Sequence, residues 1–181
     1  MEIKKISVVG GGTMGNGIAH VFAMKGYDVN LIETNEELWQ RGFDTISKNL
    51  DRQVKKEIIS SEDKDSILGR IHKIIGVEGN PSDTDLVIEA IYENKEAKLN
   101  VFKTLAGSAK ADCIFASNTS SISITELSSA VPGREDKFIG MHFMNPVPVM
   151  KLIEIIRGYS TSDITYNIIK DLSITLDKTP V

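Results

Sequence analysis

The chain has 181 residues, enough for one sizeable domain, and 41% of them are hydrophobic, which allows a real core. A formal net charge of -4 and a pI near 5.4 argue against a general nucleic-acid binder and leave small molecules or proteins as partners. The one cysteine, Cys113 in the apolar run CIFAS, has no internal disulfide partner and reads as a core thiol. No apolar stretch approaches the about 18 residues of a membrane span, and MEIKKIS lacks a signal-peptide h-region, so a soluble cytoplasmic protein is expected.

ISVVG reads as a short buried strand and GTMGNGIAHVFAMKG as the helix after it, with Met14, Ile18, Val21 and Phe22 at helical spacing. Gly26 ends that helix before a second strand, YDVNLIE, which completes a βαβ unit. A long helical insertion follows from about Glu36 to Glu57, carrying Trp39, Phe43, Ile46, Leu50 and Val54 on one stripe, and a second helical piece reaches through Ser66–Arg70. IHKIIGV, DLVIEAI and CIFASN are further strands, with KEAKLNVFKTLAGSA as the helix between the last two. After the helical SITELSSAV come FIGMHFM and KLIEIIR, then a helix from about Ser162 to Leu176 carrying Ile164, Ile168, Leu172 and Leu176. The predicted fold class is α/β: a Rossmann-like, doubly wound, mostly parallel sheet with an antiparallel strand pair at the end, occupying residues 1–181 as one dinucleotide-binding domain.

Gly10-Gly11-Gly12-Thr13-Met14-Gly15 fits GxGxxG at the first strand-to-helix junction, where glycines permit a tight turn and close approach of the backbone to a pyrophosphate. The helix that follows offers free N–H groups to phosphate. Glu33, 18 residues past Gly15 at the end of the second strand, is placed to accept hydrogen bonds from a ribose diol and to repel a 2′-phosphate, which favours NAD over NADP. Flavin adenine dinucleotide uses the same fingerprint, and an α/β domain with a glycine turn and no ligand is the plainer alternative.

Met141 to Ile156, MHFMNPVPVMKLIEII, sets His142 and Glu154 symmetrically about Pro148. If the flanking strands pair antiparallel, imidazole and carboxylate fall opposite each other on one sheet face. Such a carboxylate fixes the imidazole tautomer and stabilises the imidazolium when a proton arrives. A His and a Glu on an ordinary hairpin fit this segment alone equally well.

GGGTMGNGIAH, IEAIYENKEAK, ASNTSSISITEL and MHFMNPVPVMKLIEI together resemble the 3-hydroxyacyl-CoA dehydrogenases, most closely their bacterial 3-hydroxybutyryl-CoA members. The resemblance implies NAD-linked interconversion of an L-3-hydroxyacyl-CoA and its 3-ketoacyl-CoA, with His142 as acid/base and Glu154 as its orienting carboxylate. It implies Ser120 near the substrate oxygen and nicotinamide, Asn145 beside the nicotinamide, and Glu93 and Lys98 on the cofactor side. For the acyl-CoA phosphates it favours Lys56, then Lys55, with Asn49 where the family carries a serine. Read without the resemblance, Ser120 is a turn or capping residue and Glu93 and Lys98 are solvated helix charges. Lys48, Arg52, Lys55 and Lys56 form a basic stripe by spacing alone.

Family members continue into an all-helical domain that closes the site and builds the dimer. Without it, the 181 residues are expected to bind NAD with little or no turnover, and oligomerisation is expected only with that domain. A non-catalytic NAD-binding module remains an alternative, as does another β-hydroxyacid or sugar-nucleotide dehydrogenase.

Overall fold

The computed structural model describes residues 2–181. Its centre is an eight-stranded sheet. In chain order the strands are β1 (Lys5–Val9), β2 (Asp28–Glu33), β3 (Ile71–Ile75), β4 (Leu86–Glu89), β5 (Ile114–Ser117), β6 (Phe138–Phe143), β7 (Leu152–Arg157) and β8 (Thr179–Pro180), and their spatial order is β3-β2-β1-β4-β5-β6-β7-β8. All pairs are parallel except β6 with β7. The order reverses between β1 and β4, the switch point where such sheets open a crevice at the strand ends.

Strand residues alternate between two cores, as a period of two requires. Val8, Leu31, Ile88, Ala116 and Ile139 face one core with α1 (Thr13–Met24), α2 (Glu36–Lys55) and α6 (Asp163–Thr175). Val9, Ile32, Val87, Phe115 and Phe138 face the other with α4 (Lys95–Ser108) and α5 (Ile124–Ser128). Phe102 meets Phe138 edge to face there at 4.6 Å, and Cys113 lies buried beside them. Each such buried aromatic contributes roughly 2 to 3 kcal/mol of hydrophobic stabilisation.

The insertion departs from its expected bounds. α2 ends at Lys55 because Glu57 turns left-handed (φ 56°), and α3 (Ser61–Gly69) begins five residues before Ser66. Its start is a reciprocal capping box in which Ser60 Oγ accepts from the Asp63 N–H and the Asp63 carboxylate accepts from the Ser60 N–H. In α6 the inward face is Thr165, Ile169, Leu172 and Ser173, followed by the buried Leu176 at its C-cap; Ile164 is 73% exposed and does not belong to it. β8, absent from the expected elements, adds to β7 after α6, and the buried Lys178 just before it donates to the carbonyls of Val147 (2.5 Å) and Met150 (2.6 Å) in the β6–β7 turn.

Among the described residues no helix is long and apolar enough to cross a membrane.

Candidate active site

The glycine turn is built for close contact. Gly10 has φ 96°, a left-handed conformation that disfavours a side chain, and a Cβ on Gly15 would stand 1.7 Å from the Gly10 carbonyl oxygen. A Cβ on Gly42 of α2 would meet Gly11 O at 2.8 Å, so α2 also seats directly against this turn. Nothing lies within 4 Å of a Cβ built on Gly12, which leaves its backbone open to a ligand. Glu33 closes β2 beside it and accepts from the Gly11 N–H at 2.6 Å. Met14 is half-buried and packs against the core.

Three cavities surround this turn and the strand ends. The first, about 410 Å³, is mainly apolar and is lined by Val9, Gly10, Gly12, Ile32, Glu33, Ala90, Ile91 and Tyr92. It lies on the β2 side of the switch point with the carboxylate at its rim, the shape and chemistry an adenosine needs. The second, about 450 Å³, is lined by Gly11, Gly12, Thr13, Glu33, Arg41, Thr45, Asn49 and the loop Asn145 to Pro148. The residues present therefore fit a dinucleotide: an apolar pocket, a carboxylate at the end of β2 and an open helix N-terminus.

The third cavity, about 350 Å³, is lined by Ser120, Ser121, Thr125, His142, Glu154, Ile156 and Arg157. His142 and Glu154 are paired in register across β6 and β7, with Nδ1 2.6 Å from Oε2. Donation from Nδ1 to the carboxylate leaves Nε2 as the nitrogen available to another partner. Ser120 lies on the turn after β5, and its N–H donates to Glu93 Oε1 at 3.2 Å. Glu93 also accepts from the Thr119 hydroxyl and from Lys98 Nζ at 3.2 Å. Burial presses the Glu93 carboxyl upward, but Thr119 and Lys98 outweigh it and hold it below the ordinary glutamate range.

The structure thus brings His142, Glu154 and Ser120 to one cavity and places Asn145 on the neighbouring one with Asn49. Lys98 is fully buried and lines none of the three; it reaches the site through Glu93. Lys55 and Lys56 are exposed at the end of α2 and line none either. Two contributors were not anticipated. Arg41 lines the second cavity one helical turn before Thr45 and two before Asn49, a spacing present in the sequence although no charge run marks it. Glu89, the last residue of an apolar strand, is buried against Lys98 and carries no sequence signature of that role.

Residues 5–181 match the family model of the 3-hydroxyacyl-CoA dehydrogenase, NAD binding domain. A 3-hydroxybutyryl-CoA dehydrogenase of Bradyrhizobium diazoefficiens is 46% identical over 97% of this chain and 59% of its own length. The human mitochondrial hydroxyacyl-coenzyme A dehydrogenase is 40% identical over 99% of the chain and 58% of its own length. The crystal structure of (S)-3-hydroxybutyryl-CoA dehydrogenase from Ralstonia eutropha superposes with a TM-score of 0.95 at 44% identity, covering 99% of this chain and 63% of that one. The chain therefore spans about three fifths of the length of the relatives it matches.

Proposed function

The chain belongs to the 3-hydroxyacyl-CoA dehydrogenase family as an NAD-binding domain, and from that premise we propose that it carries the acid/base half of a site interconverting an L-3-hydroxyacyl-CoA, with 3-hydroxybutyryl-CoA as the preferred class, and its 3-ketoacyl-CoA. The observation that carries this reading is the His142 Nδ1 to Glu154 Oε2 contact of 2.6 Å inside a cavity shared with Ser120.

Bound NAD supplies the hydride acceptor. In the oxidising direction His142 Nε2 takes the proton from the substrate hydroxyl, which raises electron density on the carbon that must lose hydride. Glu154 holds the ring and faces the positive charge that appears on it. Ser120 hydrogen-bonds the substrate oxygen, and Asn145, at the mouth of the neighbouring cavity, orients the nicotinamide end. In the reducing direction His142 returns the proton. Glu33 holds the adenosine ribose diol, and the glycine turn with Thr13 receives the pyrophosphate. Glu93, fastened to the Ser120 turn, and Lys98 behind it serve the cofactor side. Along α2, Arg41, Asn49, Lys55 and Lys56 offer hydrogen bonds and charge to the phosphates of an acyl-CoA. Residues 1–181 act as one domain, in a cytoplasmic setting.

The test is a chimera in which these 181 residues are followed by the C-terminal part of the Bradyrhizobium relative. It is expected to oxidise 3-hydroxybutyryl-CoA with NAD, while the 181 residues alone bind NADH with little turnover. NADH binding without any hydride transfer in the chimera would reduce the domain to a binding module.

A further inference from the structure

Glu89 ends β4 at a position where the strand pattern calls for an aliphatic side chain, and it is completely buried. Desolvating a carboxylate is costly, and an apolar residue of similar volume usually serves stability as well or better. Its partners point to a different purpose. Glu89 Oε1 lies 2.5 Å from Lys98 Nζ, itself fully buried on α4, and accepts from the Ile91 N–H at 2.8 Å. Glu89 Oε2 accepts from the Ser117 hydroxyl at 2.5 Å. Lys98 then reaches Glu93 at 3.2 Å, and Glu93 holds the Ser120 N–H and the Thr119 hydroxyl. One buried anion therefore fastens β4, α4, the end of β5 and the Ser120 turn.

A dinucleotide with its adenosine at Glu33 on β2 crosses the glycine turn toward the ends of β4 and β5, so its nicotinamide half arrives where this network surfaces. We infer that Glu89 is a positioning residue: by fixing Lys98 it holds Glu93 and the Ser120 turn in the arrangement that receives the nicotinamide half of the cofactor. The inference rests on the NAD-binding reading above. Without the Glu89 charge, Lys98 keeps Glu93 as its only carboxylate partner and draws it inward, away from the crevice. The Glu33 side of the site has its own supports and is left intact.

The 181-residue chain provides the test, with NADH binding read by fluorescence and ADP binding, which samples only the adenosine side, read by competition. Wild-type chain that fails to bind NADH would sink the NAD-binding reading itself, a separate outcome. Glu89→Gln is expected to weaken NADH binding about tenfold, the loss of one charged hydrogen-bonding link, and to leave ADP binding within about twofold. Glu93→Gln is expected to do the same, and the double variant to show about the same tenfold loss rather than about a hundredfold, because the two act in series. Ser117→Ala, which keeps every charge, is expected to weaken NADH a few-fold and provides the test if Glu89→Gln does not fold. Unchanged NADH affinity in Glu89→Gln or Ser117→Ala overturns the inference, as does additivity in the double variant or a parallel loss of ADP binding.

Discussion

His142 and Glu154 face each other as directly paired residues of two antiparallel strands, 12 positions apart in sequence and 2.6 Å apart between Nδ1 and Oε2. The ladder of β6 and β7 orients both groups, and both line the cavity they share with Ser120. In the chimera described above, His142→Gln is expected to lower kcat by about a thousandfold, the usual scale of a lost general acid/base, with the NADH dissociation constant within about twofold of the parent. Steady-state kinetics beside NADH fluorescence titration checks this. Turnover at the parent rate would remove His142 from the mechanism.

Glu33 is the group expected to choose the cofactor. Replacing it with Ala is expected to remove the acceptor proposed for the ribose diol and the repulsion of a 2′-phosphate. NADH binding is expected to weaken about tenfold, and NADPH binding to hold or improve. Parallel titration of both nucleotides measures the ratio. An unaltered preference would assign the ribose to another residue.

His20 lies inside α1 with no exposed surface, and neither ring nitrogen has a hydrogen-bond partner. Burial pushes its pKa from 6.5 down to about 4. A depressed folded-state value means that the unfolded chain takes up the proton first as pH falls. The stabilisation is present in full above pH 6.5 and is lost progressively as pH falls toward 4, about 3 kcal/mol in all. His20→Gln, which does not titrate, is expected to flatten that part of the profile. Urea unfolding at a series of pH values compares the two chains; identical slopes would show that His20 takes no part in acid sensitivity.

Cys113 makes a contrasting case, since burial drives its thiol up to about 12 despite the opposing charges of Arg134 and Lys110. Thiolate is the reactive form, so the native chain is expected to resist Ellman's reagent at pH 8 and to react once unfolded. Fast labelling of native protein would contradict its place in the core.

Much of this architecture can be read directly from local signals. Glycine spacing marks the nucleotide turn, and short continuous apolar runs mark β1, β2, β4 and β5. The symmetric distances of His142 and Glu154 from Pro148 foretell their pairing because hairpin register follows from the turn. What escaped depends on distant parts of the chain meeting. Glu89 reads as a strand-end charge until α4 brings Lys98 over it, and Thr179–Pro180 becomes a strand only because β7 offers an edge. Ile164 fits the helical period of α6, yet the helix turns Thr165 and Ile169 inward instead. The start of α3 was a different kind of miss, since the Ser60 and Asp63 capping box is written in the sequence itself.

Lys178 ties the turn between β6 and β7 to a segment that follows α6 in the chain. The turn that carries Asn145 and separates His142 from Glu154 is held by two carbonyl contacts from a side chain made some thirty residues later, after α6 has been laid down. His142 and Glu154 therefore leave the ribosome before the residue that fastens the turn between them. A domain cut short before Lys178 is expected to keep the His142 and Glu154 side chains but to lose both carbonyl contacts that fasten the turn between them.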